Sequence, residues 1–327
     1  MKILDVSMFF NEVELLEIRL HSLRDYIHTF VVIESSQTFT GMSKNLVLPK
    51  LHYLMDLYGD QLVFISREES HDTTIRFYED IPYLSKWFPN EIAEKISSNT
   101  ASTLNSIKCP RPDAILDTFQ RESCLYYILK YAHDHDFILF SDADELPDNL
   151  CLLPSILESS NSSFISLRQH EFWYYPNMYV HSDWLGSLFS TPQAFLAFPS
   201  LNYLRHKTGK DRPNTFSTTT AHGYHMTSMG GAERIRQKLN SWAHQELVNP
   251  IVLSKIESNI SSGHDIFYRS SNQAAVKIDL HQYYSPSFVE SIKQGSLTLP
   301  SSLVRSYRTR LFTFLVRLFS KVYSFLK

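Results

Sequence analysis

The chain has 327 residues, of which 43% are hydrophobic and 13% aromatic, with a net charge of −3. The ordinary hydrophobic fraction excludes general disorder, and the weakly negative balance excludes a general nucleic-acid binder. The length suits one large domain or two closely joined halves.

Residues 2–9 predict a strand, and residues 12–25 a helix with Leu15, Leu16, Ile18, Leu20 and Leu23 on its apolar face and Asn11 as N-cap. Residues 30–35 (FVVIES) predict a second buried strand, 50–58 a short helix and 62–66 (LVFIS) a third strand. Strand–helix–strand–helix–strand is the opening of a doubly wound nucleotide-binding sheet. Residues 67–113 are mixed in charge, hold several prolines and show no strong period, which suggests a partly helical insertion or lid. Residues 114–133 predict a helix, and it leads into the short apolar run Phe137-Ile138-Leu139-Phe140. Residues 163–175 suggest an aromatic-rich strand pair or hairpin. Residues 200–230 are loop-heavy and carry His206, His222 and His225, and Gly230-Gly231 opens a further helix, AERIRQKLNSWAHQ. Cys109, Cys124 and Cys151 have no metal-like spacing and are expected to be free thiols in a reducing compartment. The N-terminal residues lack a signal-peptide pattern, and no stretch offers about 20 uninterrupted apolar residues, so a cytoplasmic location is expected.

The feature that points to chemistry follows the FILF run. Asp142, Asp144 and Glu145 stand at the end of a buried strand, and Pro147 stops that strand from continuing. In an open α/β sheet this edge is where ligands bind. Asp142 and Asp144 lie two apart, so in extended backbone they share a side. Such a pair suits a hard divalent cation that bridges to nucleotide phosphates; an acidic turn facing water is the plainer reading.

Four segments resemble glycosyltransferase family 17: DVSMFFNEVELLEIRL (5–20), FVVIESSQTFTG (30–41), FQRESCLYYILKYAHDHDFILFSDADELP (119–147) and AHGYHMTSMGGAERIRQKLNSWAHQE (221–246). The resemblance implies an α/β, GT-A-like fold, here with a Rossmann-type nucleotide-sugar-binding half (1–150) and an acceptor-binding and catalytic half (151–295), while the 67–113 insertion and a C-terminal amphipathic helix (296–327) depart from the family pattern. It also implies an inverting, metal-dependent transfer of N-acetylglucosamine or a related hexose from a UDP-sugar to a glycan or lipid-linked oligosaccharide, with Mn²⁺ or Mg²⁺ as cofactor. The absence of an N-terminal anchor, together with an amphipathic tail, resembles bacterial enzymes that work on lipid carriers at the inner face of the cell membrane. A glycan- or nucleotide-binding protein that kept the fold and lost turnover is the alternative. A metal-dependent phosphohydrolase is disfavoured, because a clear nucleophile motif and a second cluster of metal ligands are lacking.

Within that frame Asp142 and Asp144 hold the cation that neutralises the leaving diphosphate, and Glu145 orients the site or forms a supporting ion pair. Asn11, Glu34 and Arg121 are donor-binding candidates at the same sheet edge; Gln120 accompanies Arg121, which would pair with a carboxylate or the diphosphate. The resemblance nominates His225 to complete the metal or diphosphate site, ahead of His244 and His264. Inversion requires a base for the acceptor hydroxyl. Glu233, in the first turn of a helix, is the candidate, with Asp183 and Glu171 in reserve; a capping carboxylate is the bland role for Glu233. Trp173, Tyr174, Tyr175 and Trp184 would stack on acceptor sugars or simply pack in the core.

The tail, 301–327, holds six basic residues and no acid. Ser306, Arg310, Thr313, Arg317, Ser320, Ser324 and Lys327 form one polar stripe at helical spacing, and Leu311, Phe312, Phe314, Leu315, Leu318 and Phe319 cover much of the rest. This pattern fits an interfacial helix on an anionic membrane. Each basic residue near such a surface contributes on the order of 1 kcal/mol. Deleting 301–327 is expected to abolish co-sedimentation with anionic liposomes while sparing activity on soluble acceptors. Equal sedimentation of both forms, or unfolding of the truncated one, would make the tail an ordinary packed helix.

Overall fold

The computed structural model describes residues 1–105, 111–197, 200–206, 215–267 and 273–294. Cys109 and the amphipathic tail lie outside these residues. Among the described residues nine strands form one sheet: β1 (Ile3–Phe9), β2 (Thr29–Ser35), β3 (Leu62–Arg67), β4 (Phe137–Asp142), β5 (Glu145–Pro147), β6 (Phe164–Trp173), β7 (Met178–Ser190), β8 (Thr215–Thr227) and β9 (Val276–Lys277). Their order is β3-β2-β1-β4-β7-β6-β8-β5, with β9 beside β7. The first four run parallel, and β7 joins β4 antiparallel. The 3-2-1-4 order is that of a Rossmann half, with the chain's direction of travel across the sheet reversing beside β1. Strands from before and after position 150 are thus neighbours in one sheet.

Alternation along the parallel strands explains the layers. Ile3, Phe30, Val32 and Leu139 face helices α1 (Val13–Leu23), α2 (His52–Tyr58) and α6 (Leu153–Ser160). Leu4, Val6, Val31, Ile33, Ile138 and Phe140 face α5 (Pro112–Tyr131), α7 (Pro192–Ala197) and α8 (Leu201–His206). Strands covered on both faces read as continuous apolar runs, and this is why FVVI and FILF were recognisable. In the 67–113 stretch, α3 (Ile81–Leu84) and α4 (Asn90–Asn105) build an aromatic cluster against α5 with Phe77, Phe88 and Phe119. Tertiary packing therefore orders a stretch that lacks a strong period of its own. In the second half α9 (Gly231–Ser241), α10 (Pro250–Ser254) and α11 (Ile256–Ser262) pack on Trp173, Tyr174 and Met178, while α12 (Pro286–Gln294) covers Phe172, Tyr224 and Met226.

Three expectations change. Asn11 does not cap α1: Glu12 occupies that position, and its carboxylate reaches back to accept from the Phe10 and Asn11 amides. Residues 163–175 hold only the first strand, β6, of the expected hairpin; the chain turns at 174–177 and returns as the antiparallel β7, which runs on to Ser190. The stretch read as loop contains β8, thirteen residues long, whose Thr- and Ser-rich start hides a strand that fills the gap between β6 and β5.

Arg19 of α1 is fully buried. Its Nε and Nη2 grip Asp5 of β1, Nη2 also donates to Ser141 of β4 (2.6 Å), and Nη1 donates to the Glu145 carbonyl (2.6 Å). Removing one partner of a buried pair strands the other charge, at a cost of about 3–5 kcal/mol. R19M is expected to lose that much in urea unfolding, and R19M/D5L to recover part of it. A loss below about 1 kcal/mol in R19M would contradict the role assigned to this pair.

Candidate active site

A cavity of about 780 Å³ opens at the carboxyl ends of β1 and β4. The acidic cluster lies on its wall because β4 ends at Asp142 and the chain turns immediately into β5. Each carboxylate meets at least one cation carried by a helix, and Asp142 and Glu145 share Arg205. Asp142 takes Arg121 Nη1 of α5 on Oδ1 (2.6 Å) and Arg205 Nη2 of α8 on Oδ2 (2.8 Å). Burial alone would raise its pKa, but the two guanidiniums outweigh that and hold it well below the carboxylate range. Glu145 is buried and takes both Nη atoms of Arg205, at 2.8 and 2.7 Å, and Trp184 Nε1 at 3.1 Å. Asp144 accepts from Lys238 Nζ of α9 on Oδ2 at 3.1 Å. Burial disfavours the ammonium, yet Asp144 and Glu12 beside it raise its pKa above the ordinary lysine value.

His225 sits on β8 between β5 and β6, level with Glu145 on one side and Glu171 on the other. Its ring stacks on Trp184 with centroids 3.9 Å apart and an interplanar angle of 14°. Nε2 lies 3.9 Å from Asp144 Oδ1, and Nδ1 lies 3.9 Å from Glu171 Oε1 and makes no hydrogen bond. Among the described residues no group of three His, Cys, Asp or Glu side chains is arranged to hold a metal ion. Asp144 Oδ1 and His225 Nε2 nevertheless face each other at the cavity, a mixed carboxylate–imidazole pair that would suit a first-row divalent cation such as Mn²⁺ more than the oxygen-preferring Mg²⁺, with the remaining ligands from phosphates and water. Asp142 does not fit that role, because both its oxygens are engaged by arginines.

Glu171 is also in the cavity wall. It accepts from Trp173 Nε1 at 2.7 Å and pairs with His181 Nε2 at 2.8 Å. Burial pushes its pKa up, but the His181 contact, the His225 ring and Trp173 outweigh it and bring the pKa from 4.5 to about 2. Asp183 lines the cavity with its side chain 78% exposed and pairs with Arg168.

The remaining candidates separate. Arg121, Gln120, Trp173, Tyr174, Trp184 and His244 line the cavity. Glu233 does not: its side chain is 78% exposed, 4.0 Å from Arg236. Glu34 is buried, and its carboxylate takes Lys44 and the Val47 and Leu48 amides, so it caps the turn after β2. Asn11 lies in a small adjoining pocket with Glu12, Arg234 and Lys238. Tyr175 packs against the α9–α11 cluster rather than the cavity. The His264 ring bonds Ser262, while its carbonyl accepts from Tyr174 Oη. Two site residues escaped the sequence reading. Arg205 stands in a stretch with no local signal. Lys238 does carry one, since Ile235, Lys238, Leu239 and Trp242 repeat at helical spacing and all four line the cavity.

Comparison with known proteins matches residues 1–87 to glycosyltransferase family 17. These residues hold the first two of the four segments that carry the resemblance. Among curated proteins none matches the chain significantly. Similar solved structures include the galactosyltransferase LgtC in complex with donor and acceptor sugar analogues (11% identity, TM-score 0.34, covering 92% of this chain and 98% of that one). Another is TarS of S. aureus (10%, TM-score 0.31, 78% and 68%). A third is 4-diphosphocytidyl-2C-methyl-D-erythritol synthase of Anaerococcus prevotii (9%, TM-score 0.29, 68% and 86%). With TM-scores this low, these likenesses add nothing to the strand order already described.

Gly186 of β7 makes room for this arrangement. A Cβ there would lie 2.2 Å from Glu145 Oε1 and 2.6 Å from Trp184 Nε1. G186A should cost about 1–3 kcal/mol by overpacking and displace Glu145 from Arg205. Urea unfolding checks it; a variant as stable as the parent would show that Glu145 moves aside freely.

Proposed function

We propose, from the family 17 match over residues 1–87, that the chain is an inverting glycosyltransferase. It moves N-acetylglucosamine or a related hexose from a UDP-sugar to a glycan or lipid-linked oligosaccharide. The observation that carries this reading is one cavity lined both by the charged cluster of Asp142, Asp144 and Lys238 and by the aromatic rings of Trp173, Trp184 and Trp242. A cavity of about 780 Å³ is in the range that holds a small-molecule ligand.

In this reading the diphosphate lies against Asp144, Lys238 and His225, and the sugars lie toward the tryptophans. Asp144 and His225 would hold Mg²⁺ or Mn²⁺, which when bound stabilises charge on the departing diphosphate. Arg121 and Arg205 keep Asp142 ionised, and Arg205 holds the Glu145 carboxylate in place, so the acidic turn is preorganised. The base is reassigned from Glu233, which stands outside the cavity. Glu171 has one carboxylate oxygen on Trp173 and the other on His181, and its low pKa makes it a weak base. Asp183, exposed in the cavity wall, takes the role: it accepts the proton of the acceptor hydroxyl as the acceptor oxygen attacks the anomeric carbon.

D183N is expected to lower turnover about 10²–10⁴-fold, the usual contribution of a general base, with UDP affinity unchanged. E233Q is expected to stay near normal. Turnover is followed as UDP release from UDP-N-acetylglucosamine, and circular dichroism confirms the fold. Near-normal turnover in D183N would remove the base assignment, and a larger loss in E171Q would transfer it to Glu171. Binding of UDP-sugars without any turnover in the parent protein would favour a binding protein on the same fold.

A further inference from the structure

Among the described residues five lysine and arginine side chains line the cavity, and four of them are closely held. Lys44 pairs with Glu34 and donates to the Phe10 carbonyl. Arg67 is buried against Glu69 and Ser123. Arg121 spans Asp117 and Asp142, and Arg205 spans Asp142 and Glu145. Each of these four would have to break two or more contacts to reach a ligand. Lys238 differs. It pairs with Asp144 alone among the described residues, and its side chain is 26% exposed, the largest value of the five.

The helix that carries it is firmly placed. Arg234 makes a bidentate pair with Glu14 of α1, and Ile235 and Leu239 are buried. Lys238, between them, therefore projects over the acidic turn with a fixed root and an end held by Asp144. Asp144 divides its oxygens: Oδ2 takes Lys238, while Oδ1 faces His225. An ammonium and a divalent cation can then share this carboxylate without displacing each other.

We propose that Lys238 is a catalytic residue that binds the β-phosphate of the donor and gives the site a built-in cation beside any divalent one. The proposal rests on the reading of the cavity as a nucleoside-diphosphate-sugar site. As the acceptor oxygen bonds to the anomeric carbon and its proton passes to the base, the anomeric C–O bond to the diphosphate breaks. Its electron pair stays on the β-phosphate oxygen. Lys238 swings its ammonium from Asp144 to that oxygen and holds the added charge through a charge-assisted hydrogen bond. Nucleoside diphosphate binding consequently survives removal of metal.

The test is calorimetric titration of UDP into the full chain, in EDTA and in Mn²⁺, for the parent, K238Q and K238R. The parent is expected to bind in EDTA. K238Q is expected to weaken that binding about 10- to 100-fold, the range for losing a hydrogen bond to a charged group. K238R, which keeps the charge, should retain most of it, and K238M replaces K238Q if the glutamine variant does not fold. Equal EDTA affinity in K238Q and parent overturns the proposal. Parent binding that requires Mn²⁺ also overturns it and leaves the proposed function standing. No UDP binding by the parent under either condition removes the donor-site reading, and the role of Lys238 with it.

Discussion

Arg19 is a guanidinium with no access to water, and it satisfies its donors on Asp5, Ser141 and the Glu145 carbonyl. A buried charge of this kind is tolerated only when its partners are held in place. It therefore joins α1, β1, β4 and the turn into β5 as one unit. The turn that carries the acidic cluster is fixed from beneath by that unit before any cavity-side contact is made. Glu145 contributes its carbonyl to Arg19 and its carboxylate to Arg205, so it links the buried charge to the site.

Above that base the site is a local balance of charge. Asp142, Asp144 and Glu145 meet Arg121, Arg205 and Lys238, drawn from α5, α8 and α9. The three helices lie far apart in sequence, and the carboxylates are where they converge. The balance is uneven in a way that matters chemically. The two arginines are enclosed and rigid, while the lysine stands on a flexible stem with part of its surface in the cavity. A compact ammonium on such a stem can exchange partners more readily than a planar guanidinium held at several points.

The acidic cluster and the parallel strands were legible because their signals are local. FVVI (30–33) and FILF (137–140) are uninterrupted apolar runs, and the spacing of Asp142 and Asp144 is read from three residues. Other residues have roles that local sequence does not express. Glu34 has the right strand-end position for a ligand contact, but the Val47 and Leu48 amides fold back onto it and consume its oxygens. Glu233 begins a helix as a base or a cap would, yet the rotation of α9, set by Arg234 on Glu14, turns Glu233 to solvent and Lys238 to the cavity. Tyr175 differs from its neighbour Trp173 because the chain turns after β6: both pack in the α9–α11 cluster, but only Trp173 also lines the cavity.

By itself the sequence determined the α/β class, the order of the first four strands' elements and the place of the acidic turn at a strand end, because each depends on neighbours within a few residues. The tertiary structure decided the rest. β8 became a strand because it pairs with β6 and β5, which its Thr-rich start does not announce. That pairing sets His225 level with Glu145 and Glu171, and packing of α8 and α9 delivers Arg205 and Lys238 to carboxylates 60 and 94 residues away in the chain. Contacts over such separations are fixed by the burial of whole faces and the pairing of buried charge, and no window of sequence holds both partners.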